Sequence, residues 1–339
     1  MDPALEPARE HRSAEGPTPI DFACDDGQVL HGHVFEPTTP PADPAGGGPK
    51  GIVVIAAATG VLSRYYRRYA AFLAANGFIA VTFDYRGIGT SAPATLRGFR
   101  ARWHDWGTRD IDAALRWART GHEGLPLLLV GHSFGGFGVG LAPESRHLTR
   151  ILTVGAQHAH WPDYAKGHRA RFLLRWHLYM PLATLACGFF PGKRRGWLED
   201  LPRGVALDWA RSRKDFTRNA PAGQRERMRE AQRALRAPIL AVAPTDDPYA
   251  TASAMARALA CTPRAPAGTH HLEPGDYGRE GIGHFGLFHD SHADTFWRQS
   301  LSWLEHGIDP WAPNGNLPGS GSWFPADNDA GAAPAPRRV

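Results

Sequence analysis

Leu127-Leu128-Leu129-Val130-Gly131-His132-Ser133-Phe134-Gly135-Gly136 carries an apolar run straight into a glycine-rich helix start. The pattern G-x-S-x-G in that setting predicts a strand, a sharp turn and a helix, with the serine at the turn. Such a turn holds Ser133 in a strained backbone conformation and pushes its hydroxyl out above the end of a sheet. Strand and helix nearly touch there, so the residues two before and two after the serine have to be small. Gly131 and Gly135 meet that demand. The bare pentapeptide recurs by chance in many chains, so its weight depends on what flanks it.

What flanks it is an alternation of strands and helices. Upstream, residues 52–55 and 78–83 are apolar throughout, as strands of a buried parallel sheet are. Between them a helix starts at Ser63, carries Tyr65, Tyr69, Phe72 and Leu73 on one face, and stops at Gly77. Residues 20–24 and 30–35 flank Asp25-Asp26-Gly27 and predict a hairpin. A helix over about 110–120 leads into the serine turn. Downstream, residues 151–154 and 238–242 predict further strands, followed by helices over about 251–260 and from Asp294 onward. The alternation predicts an α/β fold with a mostly parallel, doubly wound sheet. Residues 161–236 interrupt it with a helical, aromatic, arginine-rich segment too long for a loop, which predicts a helical cap over the strand ends. Residues 19–160 and 237–308 are then the two parts of the core. A flexible segment, 1–18, precedes them, and a Gly-, Pro-, Ala- and Asn-rich tail, 309–339, is expected to be disordered.

The 339 residues include three cysteines, Cys24, Cys187 and Cys261, too far apart for a metal spacing or a disulfide framework, which suits a reducing compartment. The first nineteen residues are polar and charged, unlike a signal peptide. No run approaches the roughly 18 apolar residues of a membrane span. A cytoplasmic protein without a membrane span is expected. The net charge of +5 is uneven: residues 166–236 hold 17 basic and 6 acidic side chains, a balance of +11, which leaves −6 for the rest. Such a block either solvates a helical surface or attracts anionic partners. No nucleic-acid recognition motif accompanies it, so nucleic acid is not an expected partner.

A serine hydroxyl attacks only when a base takes its proton and a third group fixes that base. In this kind of sheet the partners follow in the order serine, acid, histidine. The chain offers Thr245-Asp246-Asp247-Pro248 after an apolar strand, and Gly283-His284-Phe285-Gly286 near its end. With Asp84-Tyr85-Arg86-Gly87-Ile88-Gly89-Thr90-Ser91 and the serine turn, these motifs resemble an α/β-hydrolase over about residues 19–306. The resemblance is to the α/β-hydrolases related to serine aminopeptidases and monoacylglycerol lipases. It implies Ser133 as nucleophile and His284 as general base and acid. Aligning the family's strand-end glycine with Pro244 puts Asp247 in the role of the acid; Asp246, one residue away, would fill it after a small backbone shift.

The resemblance also implies two backbone donors for the oxyanion of a tetrahedral intermediate. One is Phe134. The other comes from the turn after residues 52–55, where many relatives carry His-Gly and this chain has Ala56-Ala57-Ala58-Thr59-Gly60, so Ala58 and Thr59 are both candidates. Asp84 and Arg86 are expected to brace the sheet edge through an internal salt bridge. Phe172, Leu173, Leu174, Trp176, Leu178, Tyr179 and Met180 are expected to pack the cap, a few of them lining an acyl pocket. Neither His158, His160 and His168 nor His284, His289 and His292 have a metal-ligand spacing, and no cofactor is implied. The expected activity is hydrolysis of a carboxylic ester, or a thioester, of a small-molecule acyl substrate. The alternatives are an amidase or aminopeptidase, an acyltransferase or haloperoxidase-like enzyme on the same triad, and a catalytically silent binding protein.

Overall fold

The computed structural model describes residues 16–38 and 48–313. The expected flexible N-terminus up to residue 15, most of the Pro/Gly-rich loop near residue 43, and the tail beyond residue 313 lie outside the described residues.

Among the described residues ten strands form in chain order: β1 (Thr18–Ala23), β2 (Val29–Phe35), β3 (Ile52–Ala56), β4 (Ile79–Phe83), β5 (Leu127–His132), β6 (Arg150–Val154), β7 (Phe189–Phe190), β8 (Leu201–Pro202), β9 (Ile239–Pro244) and β10 (Ala267–Leu272). Eight of them make one sheet in the order β1-β2-β4-β3-β5-β6-β9-β10. The expected hairpin β1–β2 joins antiparallel to β4, and every later pairing is parallel. Every residue of β3, β4 and β5 is buried, which is why these strands read as unbroken apolar runs.

Edge strand β10 was not legible in the sequence. Ala267-Gly268-Thr269-His270-His271-Leu272 has one neighbour and a half-exposed face, so polar residues serve there. Its His270 Nε2 lies 2.7 Å from the carboxylate of Asp309, which is buried. That aspartate also accepts the Trp311 N–H, and the Trp311 ring stacks on Phe296. The expected disorder therefore does not begin at residue 309: the chain is held through Trp311 because a buried carboxylate needs these partners.

Among the helices on the sheet are α1 (Arg67–Ala75), α2 (Asp112–Gly121) and the short α3 (Phe134–Gly138) that opens at the serine turn. The expected helices near the C-terminus also form, at Ala252–Leu259 and over residues 293–306. Asp84 and Arg86 do brace the sheet edge, but not through each other. Asp84 accepts the Ser63 and Thr90 N–H groups, while buried Arg86 reaches Asp110 and Asp26 at 2.6 Å each.

In the insertion, Arg169–Phe172, Leu173–Tyr179 and Met180–Cys187 run on as one helix, α4, with a wide π-type middle. It is followed by the β7–β8 ribbon, α5 (Arg203–Ala210) and α6 (Ala222–Ala234). Of the residues expected to pack, Phe172, Trp176 and Met180 are buried. Leu173, Leu174 and Leu178 are exposed instead and share that surface with Leu182 and Leu185, because α4 covers the core with only one of its faces. An aromatic column ties this segment to the core: Phe134 on Trp103 at 4.8 Å, Trp103 on Trp209 at 5.8 Å, and Trp209 on Trp176 at 4.8 Å. Helix α6 packs against Val139–Leu141 and Pro143–His147, beside the core.

Candidate active site

Ser133 sits between β5 and α3 with φ 53° and ψ −118°, a conformation that L-residues rarely adopt. It persists because the surroundings over-determine it. The Ser133 N–H donates to the Val154 carbonyl at 2.8 Å, and the Ser133 carbonyl accepts from Gly136 and Phe137 at 3.1 and 3.2 Å. A Cβ on Gly135 would run into the Ala56 carbonyl, and one on Gly131 would meet the Gly136 backbone. The approach that demanded small residues is real.

The loop after β9 supplies two carboxylates. Asp247, buried, places Oδ2 2.7 Å from His284 Nδ1 and accepts the Tyr249 and Ala250 N–H groups on Oδ1 at 2.8 and 3.1 Å. Burial alone would raise its pKa, but the His284 charge, the hydrogen bond from that ring and the two N–H groups outweigh it and hold the carboxyl below its usual range. Asp246 is exposed and takes the N–H groups of Ile282 and Gly283 at 2.8 and 3.0 Å. The two residues therefore hold the same loop, Asp247 by the histidine ring and Asp246 by the backbone before it. Gly155, with φ +60°, leaves the room: a Cβ there would stand 3.1 Å from Asp247 Oδ2 and from His284 Cε1.

His132, within the serine motif, fixes the histidine loop from the other side. It is fully buried, and burial with the nearby His284 charge pushes its pKa down to about 3. The ring is therefore neutral. Its Nε2 faces the His284 carbonyl at 2.8 Å and must be the protonated nitrogen, so Nδ1 accepts from the Tyr66 hydroxyl at 2.7 Å. The Tyr66 oxygen in turn accepts the Ala58 N–H at 3.0 Å. A buried serine at a strained turn, and a buried carboxylate holding a histidine on a glycine-cleared loop, are thus brought to the ends of β5 and β9.

Comparison with known proteins agrees with this architecture. A profile of the family described as "Serine aminopeptidase, S33" matches residues 47–186, less than half of the chain. No curated protein matches the sequence. Among solved structures, a soluble variant of monoglyceride lipase from Saccharomyces cerevisiae aligns with a TM-score of 0.61 and 14% identity, covering 88% of this chain and 98% of that one. The esterase domain of a Rhodothermus marinus protein aligns at 0.51 with 14% identity, over 86% and 98%. The monoacylglycerol lipase of Paleococcus ferrophilus aligns at 0.51 with 16% identity, over 81% and 98%. The chain has the α/β-hydrolase fold.

Within this fold the oxyanion candidates separate. Phe134 opens α3, where an N–H has no carbonyl a turn before it. The Ala58 N–H is committed to Tyr66, which removes Ala58 from the pair expected from sequence. Thr59 remains; its side chain accepts from Trp103 Nε1 at 3.1 Å, and among the described residues its own N–H has no acceptor.

The insertion reaches the candidate site through Tyr249. That ring lies 4.9 Å from His284, stacks on Phe172 at 4.3 Å, and its hydroxyl accepts from Trp176 Nε1 at 3.2 Å. Beside the turn after β3 opens a groove of about 810 Å³, bordered by Arg64, Arg67, Arg68 and Lys193. Among the described residues no three His, Cys, Asp or Glu side chains gather as metal ligands, and no helix is long and apolar enough to cross a membrane. One residue at the site escaped sequence reasoning. Gln157, buried just beyond β6, directs its side-chain amide to Ser133 Oγ at 3.3 Å. No motif surrounds it; the only clue was its place shortly after a strand that ends beside the serine turn.

Proposed function

We propose that this hydrolase cleaves carboxylic esters of small-molecule acyl substrates through an acyl-enzyme, with Ser133 as nucleophile, His284 as general base and acid, and Asp247 as the group that orients His284. The observation that carries the reading is the buried Asp247–His284 contact of 2.7 Å on a loop whose His284 carbonyl is held at 2.8 Å by His132, the residue before the strained Ser133. His284 takes the Ser133 proton as Oγ attacks the acyl carbon, and returns it to the leaving alcohol. Water then repeats the sequence on the acyl-enzyme. Asp247 holds the ring by Nδ1 and balances the imidazolium. The Phe134 and Thr59 N–H groups are the donors for the oxyanion.

An ester rather than an amide is supported by the esterase and the two lipases that share the fold. The test is labelling with a fluorophosphonate, followed by a p-nitrophenyl ester chain-length series. Ser133→Ala is expected to keep its fold and lose labelling and turnover by several orders of magnitude. Turnover above a tenth of the parent rate in Ser133→Ala would overturn the assignment.

A further inference from the structure

Gln157 stands where a donor would serve the nucleophile's own oxygen. The segment that carries it, residues 155–159, leaves β6 beside the serine turn, and three features lock it. Gly155 adopts φ +60° under the Asp247–His284 pair. Ala159 adopts φ 57°, a strained conformation for a residue with a Cβ. The Ala159 N–H donates to Gln157 Oε1. That bond decides which way the carboxamide faces: the oxygen is occupied on the Ala159 side, so the NH₂ end is the one directed to Ser133 Oγ. Gln157 is 7% exposed, and such a buried amide is costly unless its groups are used.

We infer that Gln157 is a catalytic residue that supports Ser133 Oγ as the leaving group of deacylation. The inference rests on the serine-hydrolase reading above. In deacylation, water attacks the acyl carbon and gives a proton to His284. The tetrahedral intermediate then collapses, the bond from carbon to Oγ breaks, its electron pair stays on Oγ, and His284 returns the proton to that oxygen. An ester oxygen is a poor acceptor, and an oxygen taking over an electron pair is a good one. The Gln157 N–H therefore stabilises the transition state of deacylation more than the acyl-enzyme before it. In acylation the starting point is the free hydroxyl, which already accepts that hydrogen bond, so the gain largely cancels. The donor's effect falls on one half of the reaction.

The test separates the halves by stopped-flow with p-nitrophenyl acetate, reading the burst as acylation and the steady state as deacylation, with the acyl-enzyme followed by intact mass. Gln157→Glu keeps length and an oxygen for the Ala159 N–H but loses the donor; Gln157→Met loses both. Both variants are expected to slow deacylation about tenfold or more, with acylation within about threefold of the parent, and to accumulate acyl-enzyme. Equal losses in both steps, or no change in either, would overturn the inference and leave Gln157 as a brace for its loop. Should Gln157→Met not fold, Gln157→Glu decides alone. A parent protein that neither labels with fluorophosphonate nor gives a burst refutes the serine-hydrolase reading itself. That outcome is distinct from a labelled parent whose variants deacylate normally.

Discussion

Asp246 and Asp247 are adjacent in the chain and hold the same loop by different handles, one by its backbone N–H groups and the other by the His284 ring. Only the second contact changes strength when His284 gains a proton. Asp247→Asn is expected to lower turnover by roughly 10⁴-fold, as loss of the orienting acid does in other triads. Asp246→Asn keeps an oxygen for the N–H groups and is expected to stay within about tenfold of the parent. Steady-state kcat of the two variants ranks them, and the reverse order would move the acid to Asp246. His132 carries a second expectation. Its pKa falls from 6.5 in an unfolded chain to about 3 in the fold, so the unfolded chain binds the proton more readily between those values. Its contribution to stability is full above pH 6.5 and is lost as pH falls from 6.5 toward 3. Between pH 7 and pH 4.5 this amounts to roughly 2–3 kcal/mol. Denaturant unfolding at the two pH values is expected to show a smaller loss in His132→Gln than in the parent.

Along the elements, legibility follows burial. Strands β3, β4 and β5 are covered on both faces, so nearly every residue had to be apolar and the sequence displayed them. Strand β10, at the edge, escaped because two histidines and a threonine fit its half-exposed face. Helix α4 misled for a related reason. A run of leucines and aromatics reads as core, yet its leucines at positions 173, 174, 178, 182 and 185 face outward while Phe172, Trp176 and Met180 face the core. Side-chain identity alone does not separate the two faces; the partners do. Leu174→Lys and Leu182→Lys are expected to leave the thermal midpoint nearly unchanged. Phe172→Ala, which removes the ring stacked on Tyr249, is expected to cost about 3–5 kcal/mol. Thermal unfolding of the three variants checks the assignment of faces. The site divided in the same way. Ser133, Asp247 and His284 sit in motifs whose spacing the chemistry dictates. Gln157 and the Tyr66–His132 relay are contacts between distant segments that no local pattern announces.

At the scale of the whole molecule, the surplus charge of residues 166–236 does not all gather at the site. Helix α6 carries four of those arginines beside the core, where Arg229 and Arg233 pair with Asp215 and Glu226. The positive border nearer the site belongs to the groove, where Arg68 and Lys193 are paired with Asp290 and Glu199, while Arg64 and Arg67 are exposed. An anionic ester is therefore expected to show a higher kcat/KM than a neutral ester of equal acyl length at low salt. That advantage is expected to vanish by about 0.5 M, where screening acts within a few ångströms. The double variant Arg64→Gln/Arg67→Gln is expected to remove it at every salt concentration. A flat salt response of both substrates in the parent would exclude steering.

The aromatic column has an optical consequence. Trp103 belongs to the segment before α2, and Trp176, Trp197 and Trp209 belong to the insertion, in ring contact from one to the next. Indoles this close couple their excited states, so the near-ultraviolet circular dichroism of the protein carries a signal set by the angle and distance between insertion and core. Any sliding of the insertion against the core changes that signal. The molecule thus contains its own unlabelled gauge of how the insertion sits on the core.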